Sequence, residues 1–287
     1  MRLIINADDF GLSKSVNDAV KELCKLGTIS STSVMANMPF ASEIKEILAF
    51  THIGIGLHVN LTQGYPVSPV TDIKSIIDSD GKFFPKDKLE ILISQGKVEY
   101  AHILTEVSAQ YYALRELIGE RLDHFDSHQG STRIKMVSDA LIELSKKEGL
   151  NRRIRVHSKY YLSNSATKTE ILEPNIFSIN HFGIKRVIVE YLFRRKREYW
   201  RKSFKSPEGM LFTSSHKTAD ILTHIANLEN PPSSKQTFEV SCHPATDHND
   251  LTDTKMLEER VHEYNLLKSE SFKKNLSHVE LITFSDL

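Results

Sequence analysis

Cysteine is scarce in this sequence: Cys24 and Cys242 stand far apart among 287 residues, outside any CxxC spacing. That excludes a disulfide framework and a thiolate zinc site, and it favours a reducing, cytoplasmic setting. Neither charge sign is in excess, because 37 Lys and Arg balance 37 Asp and Glu. A global field aimed at nucleic acid or an anionic membrane is therefore absent. Long apolar runs are missing too. The opening "MRLIINADDF" carries only Leu3 to Ile5 before polar residues intervene, too short for the core of a secretory signal. Nothing approaches the ~20 apolar residues of a membrane span. The remaining balance, 40% apolar and 26% charged, is that of a folded globular chain.

Short β-branched runs alternate with segments of helical period. Strands are expected at Leu3–Asn6, Ser31–Ala36, Ile53–Val59, Leu122–Asp126, Ile154–Val156, Thr237–Cys242 and Val279–Phe284. Helical spacing runs through Ser15–Leu26, Phe40–Phe50, Ala101–Ile118, Val137–Lys147, Lys217–Leu228 and Thr254–Lys274. Ser13 or Ser15 is placed to cap the first helix, with Gly27 past its end, and Thr252 or Asp253 to cap the last. Repeated strand and helix predict parallel β/α architecture. Almost every strand ends at its C-terminal side in polar groups: Asp8 and Asp9, His58 and Asn60, Asp126 and His128, Arg155 and His157, and His243. Such a rim favours a distorted or incomplete TIM-like (β/α) barrel, with its site at the C-terminal strand ends, over an open sheet with one switch crevice. We expect one domain over 1–287.

Two stretches depart from this rhythm. Residues 63–100 hold "GYPVSPV" and "SDGKFFPKD" and read as an inserted excursion covering one face. Residues 185–205 are basic with interleaved aromatics, which suits a solvated helix, or contact with an anionic partner or another subunit.

Of 13 histidines, His52, His102, His216, His224, His262 and His278 sit in helical or linking segments and are read as structural. His58 and His128 end strands, and Gly54 and Gly56 share the side of His58, leaving room before its imidazole. Asn60 continues that parity. One carboxylate and two imidazoles hold a divalent metal while leaving positions open for water and substrate. Asp9 would be that carboxylate and Asp8, beside the metal, the base. The competing reading of "ADDFG" is an acidic cap on the first helix. Two imidazoles favour zinc over magnesium. A phosphoesterase on the same scaffold would call for more carboxylates around two metals.

These pieces carry a resemblance. "LIINADDFGLS" (3–13), "GIGLHVNLTQG" (54–64), "DGKFFP" (80–85), "FDSHQG" (125–130), "RIRV" (153–156), "FEVSCHPA" (238–245) and the ending "LITFSDL" (281–287) are similar to the YdjC-like carbohydrate deacetylases, the family of chitooligosaccharide deacetylase. The resemblance implies a distorted β/α barrel, often dimeric, that removes acetyl groups from N-acetylated sugars with one divalent ion, zinc or magnesium; a non-catalytic sugar-binding protein that keeps this fold is the further alternative. By position, Asp9, His58 and His128 match its metal ligands, Asp8 its base and His243 its general acid. Arg155 matches a substrate-steering residue, and Phe83–Phe84 a covering loop, so that Arg155, Asn60 and Phe84 are the expected substrate contacts. The chain departs from the family at Gln129–Thr132, where further histidines are usual, and at Ala245 in place of glycine. It matches only loosely over residues 160–235.

Overall fold

The computed structural model describes residues 1–150, 153–164, 169–174, 183–212, 217–226, 236–251 and 256–287. Among them, nine strands form one sheet: β1 (Arg2–Phe10), β2 (Ser31–Val34), β3 (Gly54–Val59), β4 (Leu122–Ser127), β5 (Lys159–Asn164), β6 (Thr169–Leu172), β7 (Gly209–Phe212), β8 (Thr237–Cys242) and β9 (Glu280–Leu281). Their order is β4-β3-β2-β1-β8-β7-β5-β6, with β9 added beside β1. The β5–β6 pair is antiparallel and the other pairs are parallel. The sheet does not close: β4 and β6 end the path.

Around it lie α1 (Lys14–Leu26), α2 (Lys86–Ser94), α3 (Tyr100–Ile118), α4 (Lys135–Lys147), α5 (Ile184–Arg201), α6 (Thr218–Ala226), α7 (Leu257–Leu267) and α8 (Glu270–Asn275). Ser13 caps α1 by accepting from the Val16 amide, and Gly27 closes it. The expected helix over 40–50 is instead a run of 3₁₀ turns, Ala41–Ala49. The expected helix over 254–274 is two helices, because the Ser269 hydroxyl accepts from the Phe272 amide and starts α8. Its suggested caps at 252 and 253, residues 227–228 of the preceding prediction, and His216 lie outside the described residues.

Strand alternation divides the sheet into two faces. Leu3, Ile5 and Ala7 of β1 join the main core with helix residues such as Val16, Val20, Leu141 and Leu144. The other face turns inward. Its floor is a small cluster of Ile4, Ile282 and Phe284, where the chain's end crosses the open bottom. Above that floor the inward positions are polar: Asn6, Ser31, Ser33, His58, Asp126 and Glu239, all buried. Gly56 belongs to this layer, but the room it leaves is filled. A Cβ there would lie 2.3 Å from His124 Nε2, so the glycine admits the ring of the neighbouring strand, not open space before His58.

The predicted strand at Ile154–Val156 is a bridge, not a strand. Phe125 donates its amide to Arg153 O at 2.9 Å and accepts from the Arg155 amide at 3.0 Å, while the Ile154 amide reaches Lys205 O at 2.9 Å. This segment runs along the free edge of β4 and spans part of the gap in the sheet. It also aims Arg155 across the interior. At the end of the chain, only Glu280–Leu281 pairs as strand; Thr283 and Asp286 then close a capping box over a final turn.

Candidate active site

Asp8 and Asp9 do share one space, and the backbone at Asp9 is the reason. In a regular strand adjacent side chains point to opposite faces. Here Asp9 has φ +67°, and the β1–β2 register shifts between Ala7 and Phe10. A left-handed residue inside a strand costs on the order of 1–2 kcal/mol, and Asp tolerates it better than most. The bulge swings the second carboxylate round to the cavity side, where bulges often re-aim functional groups.

Asp9 Oδ1 lies 3.2 Å from His58 Nε2 and 2.9 Å from His128 Nδ1. One donor atom from each of these residues fits within 4.8 Å of the others. Behind His58, Nδ1 donates to Asp126 Oδ1 at 2.7 Å, and Ser33 Oγ donates to Asp126 Oδ2 at 2.7 Å. A histidine anchored through one nitrogen by a carboxylate presents the other as a metal ligand. His128 Nε2 is buried and has no hydrogen-bond partner among the described residues. Burial works against charge on His58, but Asp126, Asp9 and Asp8 push its pKa up to about 10. The cluster thus draws a cation, whether a proton or a metal ion. Burial would raise the Asp9 carboxyl, yet Arg260 and the two histidines hold it well below the usual carboxylate range. The residues fit a divalent ion.

A second group, Asp8, His58 and Asp126, also lies close enough to hold a metal. Its carboxylates are already engaged. Arg155 Nη1 and Nη2 each donate to Asp8 at 2.7 Å, Nη2 stands 3.0 Å from Asp126 Oδ2, and Nε donates to Glu239 Oε1 at 2.6 Å. Asp8 Oδ2 is 3.7 Å from His243 Nε2 across the mouth of the site. Burial lowers the pKa of His243, against the pull of Asp8 and Asp9.

The expected residues do not all face one space. Asp8, Asp9, His58, His128, Arg155 and His243 line a common cavity of about 1090 Å³. Arg155 is spent on three carboxylates and is not free to steer a substrate. Asn60 is off the wall: its side chain contacts Asn37 and Gln63 and accepts from the amides of Thr62 and Gln63. Phe84 packs against the core beneath Lys88, and Pro85, Lys86 and Asp87 line the cavity in its place.

Sequence reasoning expected a helix over 254–274 but gave α7 no part in the site. Arg260 donates to Asp9 Oδ2, and one turn later Glu263 accepts the His243 amide at 2.6 Å. One helix face therefore holds both a candidate ligand and the candidate acid. Burial pushes the Glu263 carboxyl up to about 7, against Arg260 and the His243 amide. A carboxyl raised above its unfolded value of 4.5 adds stability that is full below pH ~4.5 and lost as pH rises through ~7. Glu263→Gln should therefore lose less stability than the wild type between pH 5 and pH 8. Urea midpoints at the two pH values measure this, and parallel changes in both proteins would contradict it.

The residue pattern of the YdjC-like protein family matches residues 2–278. A carbohydrate deacetylase of Thermoanaerobacter pseudethanolicus is 32% identical over 190 residues, 64% of this chain and 72% of its own length. A chitooligosaccharide deacetylase of Proteus mirabilis is 26% identical, over 80% of this chain and 83% of its own. An Enterococcus faecalis protein of solved structure, to which cellobiose-phosphate cleavage has been ascribed, superimposes with TM-score 0.71 at 22% identity, covering 99% and 98% of the two chains. That likeness concerns the fold.

Proposed function

The chain belongs to the YdjC-like family, and from that premise we propose that it is a metal-dependent deacetylase, hydrolysing the N-acetyl amide of a saccharide to acetate and an amino sugar. The observation that carries this reading is the bulge at Asp9. It gives two adjacent carboxylates separate tasks in one cavity, Asp9 toward the two histidines and Asp8 toward Arg155 and His243.

Asp9, His58 and His128 would hold the ion, which supplies polarisation of the acetyl carbonyl and a more acidic water. Asp8 accepts the proton of the attacking water. Arg155 fixes that carboxylate through a two-pronged contact, so it cannot turn away from the reacting atoms. His243, across the same opening, delivers a proton to the departing amine nitrogen. Its Nε2 faces Asp8, so the proton taken from water and the proton given to nitrogen belong to one neighbouring pair of groups. Arg260 keeps Asp9 in place from behind. The engaged state of Asp8 and Asp126 disfavours the two-metal phosphoesterase alternative.

Metal analysis of untagged protein, wild type beside His58→Ala, tests the centre first. We expect about one divalent ion per chain in the wild type and loss of most of it in the variant, with acetate release from N-acetylated oligosaccharides falling in step. A variant that kept both metal and activity would remove His58 from the centre.

A further inference from the structure

The chain leaving β3 is fastened like a strap. Asn60 Oδ1 accepts from the Thr62 and Gln63 amides at 3.1 Å each, and its Nδ2 donates to Gln63 O at 2.7 Å. Asn37 Nδ2 donates to Gln63 O and Tyr65 O at 3.1 and 2.9 Å. From the other side α3 presents Glu106 and Gln110, one turn apart and fully buried. Gln110 brackets the Asn60 backbone, accepting its amide at 3.0 Å and donating to its carbonyl at 2.6 Å. Glu106 accepts the Val67 and Ser68 amides at 3.0 and 2.9 Å, and Gln110 Nε2 at 2.8 Å. Apart from the contact joining the two, these bonds of α3 all go to the backbone of residues 60–68. Burying a carboxylate and an amide is costly unless they are hydrogen-bonded, and here that pairing secures both ends of one short segment.

What the strap brings to the cavity is Thr62 and Gln63, on the same wall system as Asp9 and His58. Thr62 stands out in one respect. Its amide is taken by Asn60, but its hydroxyl has no hydrogen-bond partner among the described residues, although the residue is only 8% exposed. A hydroxyl both donates and accepts. Left unpaired in a buried place it is unfavourable, so a polar group entering the cavity gains by pairing with it. An acetamido sugar carries such groups: the acetyl carbonyl, the amide N–H and the ring hydroxyls. The strap explains why this hydroxyl stays where it is. With Asn60 and residues 67–68 both locked to α3, Thr62 cannot turn away to find a partner in water.

We propose that Thr62 is a substrate-contacting residue whose hydroxyl hydrogen-bonds the acetylated sugar, and that Glu106, acting through the 60–68 strap, is the positioning residue that holds it there. The identity of the ligand rests on the deacetylase reading; the contact itself is tested apart from turnover.

Two measurements separate them. The first is calorimetric binding of N,N′-diacetylchitobiose to the slowed Asp8→Asn protein. Adding Thr62→Val, which keeps the shape and removes the hydroxyl, should weaken binding about tenfold, whereas Thr62→Ser should retain most of it. The second is acetate release from the same sugar with Asp8 intact. Thr62→Val should raise KM about tenfold and leave kcat within about twofold, the mark of a contact made before the transition state. Glu106→Gln, which sets an amide N–H against the strap's own donors, should raise KM in the same way. Combined with Thr62→Val it should add little, because both act through one hydroxyl. Multiplying effects would remove Glu106 from the positioning role. If Glu106→Gln does not fold, Asn37→Ala, on the partly exposed side of the strap, carries the same test. Acetate release with KM and sugar binding unchanged in Thr62→Val would overturn the contact and leave the deacetylase standing. Binding that depends on Thr62, with no acetate released, would support the contact and sink the deacetylase reading. Neither binding nor acetate in the wild type would overturn both.

Discussion

Asp8→Asn is expected to slow acetate release by ~10²–10⁴-fold, the usual contribution of a positioned proton acceptor, while the bound metal stays. Both oxygens of Asp8 accept hydrogen bonds: Oδ1 from Asn6 and Arg155, Oδ2 from Arg155. Oδ2 is also the atom that faces His243. An amide matches the shape but cannot take a proton from water. Asp9, His58 and His128 meet at separate atoms, so metal content should hold while turnover collapses. Acetate release and metal analysis on the same preparation measure both. Full activity in the variant would place the base elsewhere. His243 would be the first candidate, since burial keeps its imidazole below the usual pKa and able to accept a proton.

How far these residues were legible in the sequence depends on what kept each in place. The strands β1, β3 and β8 were legible because β-branched or apolar residues cluster in "LII", "IGLHV" and "FEV", whereas β2 and β4, "STSV" and "LDHFDS", were legible as short segments set between runs of helical period. The segments β5, β6 and β7 were missed: "KYYLSN", "TEIL" and "GMLF" are short, and aromatic or polar residues break their pattern. Parity puts Asn60 on the face of His58 only if it is carried past Val59, where the strand ends and alternation no longer holds. The resemblance places Phe84 in a covering loop over the site, whereas in this fold Phe84 packs against the core together with much of the apolar content of residues 63–100. The candidate ligand set was legible because each member stands at the C-terminal end of a strand, Asp9 in β1, His58 in β3 and His128 just after β4. Arg260 was not. In "LEERVHEY" it looks like any charge on a helix, and only the fold brings it to Asp9. Glu239 did leave a signal, an acid inside the otherwise apolar "TFEVSC", matched by Arg155 inside "RIRV". Opposite charges set within two buried segments call for each other.

Arg155→Met should then destabilise the protein by ~3–5 kcal/mol at pH 8, the cost of leaving buried charge without its partner. Arg155 is buried and is the cation shared by Asp8, Asp126 and Glu239. Even with it in place, burial and the neighbouring carboxylates lift Glu239 to about 7, against the pull of Arg155. Without it, the three acids would relieve their repulsion by taking up protons, so the variant's deficit should shrink as pH falls from 8 to 5. Arg155→Lys should recover only part of the loss, because one ammonium cannot reproduce a fork that reaches three partners. Removing an acid together with the cation, as in Arg155→Met with Glu239→Leu, should recover more than Arg155→Met alone keeps. Urea midpoints at both pH values report the effect directly. A deficit below ~1 kcal/mol at pH 8, the scale of an exposed pair, would mean that the interior carboxylates are not held by this guanidinium. The expected size reflects geometry: Arg155 extends from the bridging segment at the gap in the sheet to β1, β4 and β8, so one side chain both neutralises the inner layer and ties its strands together.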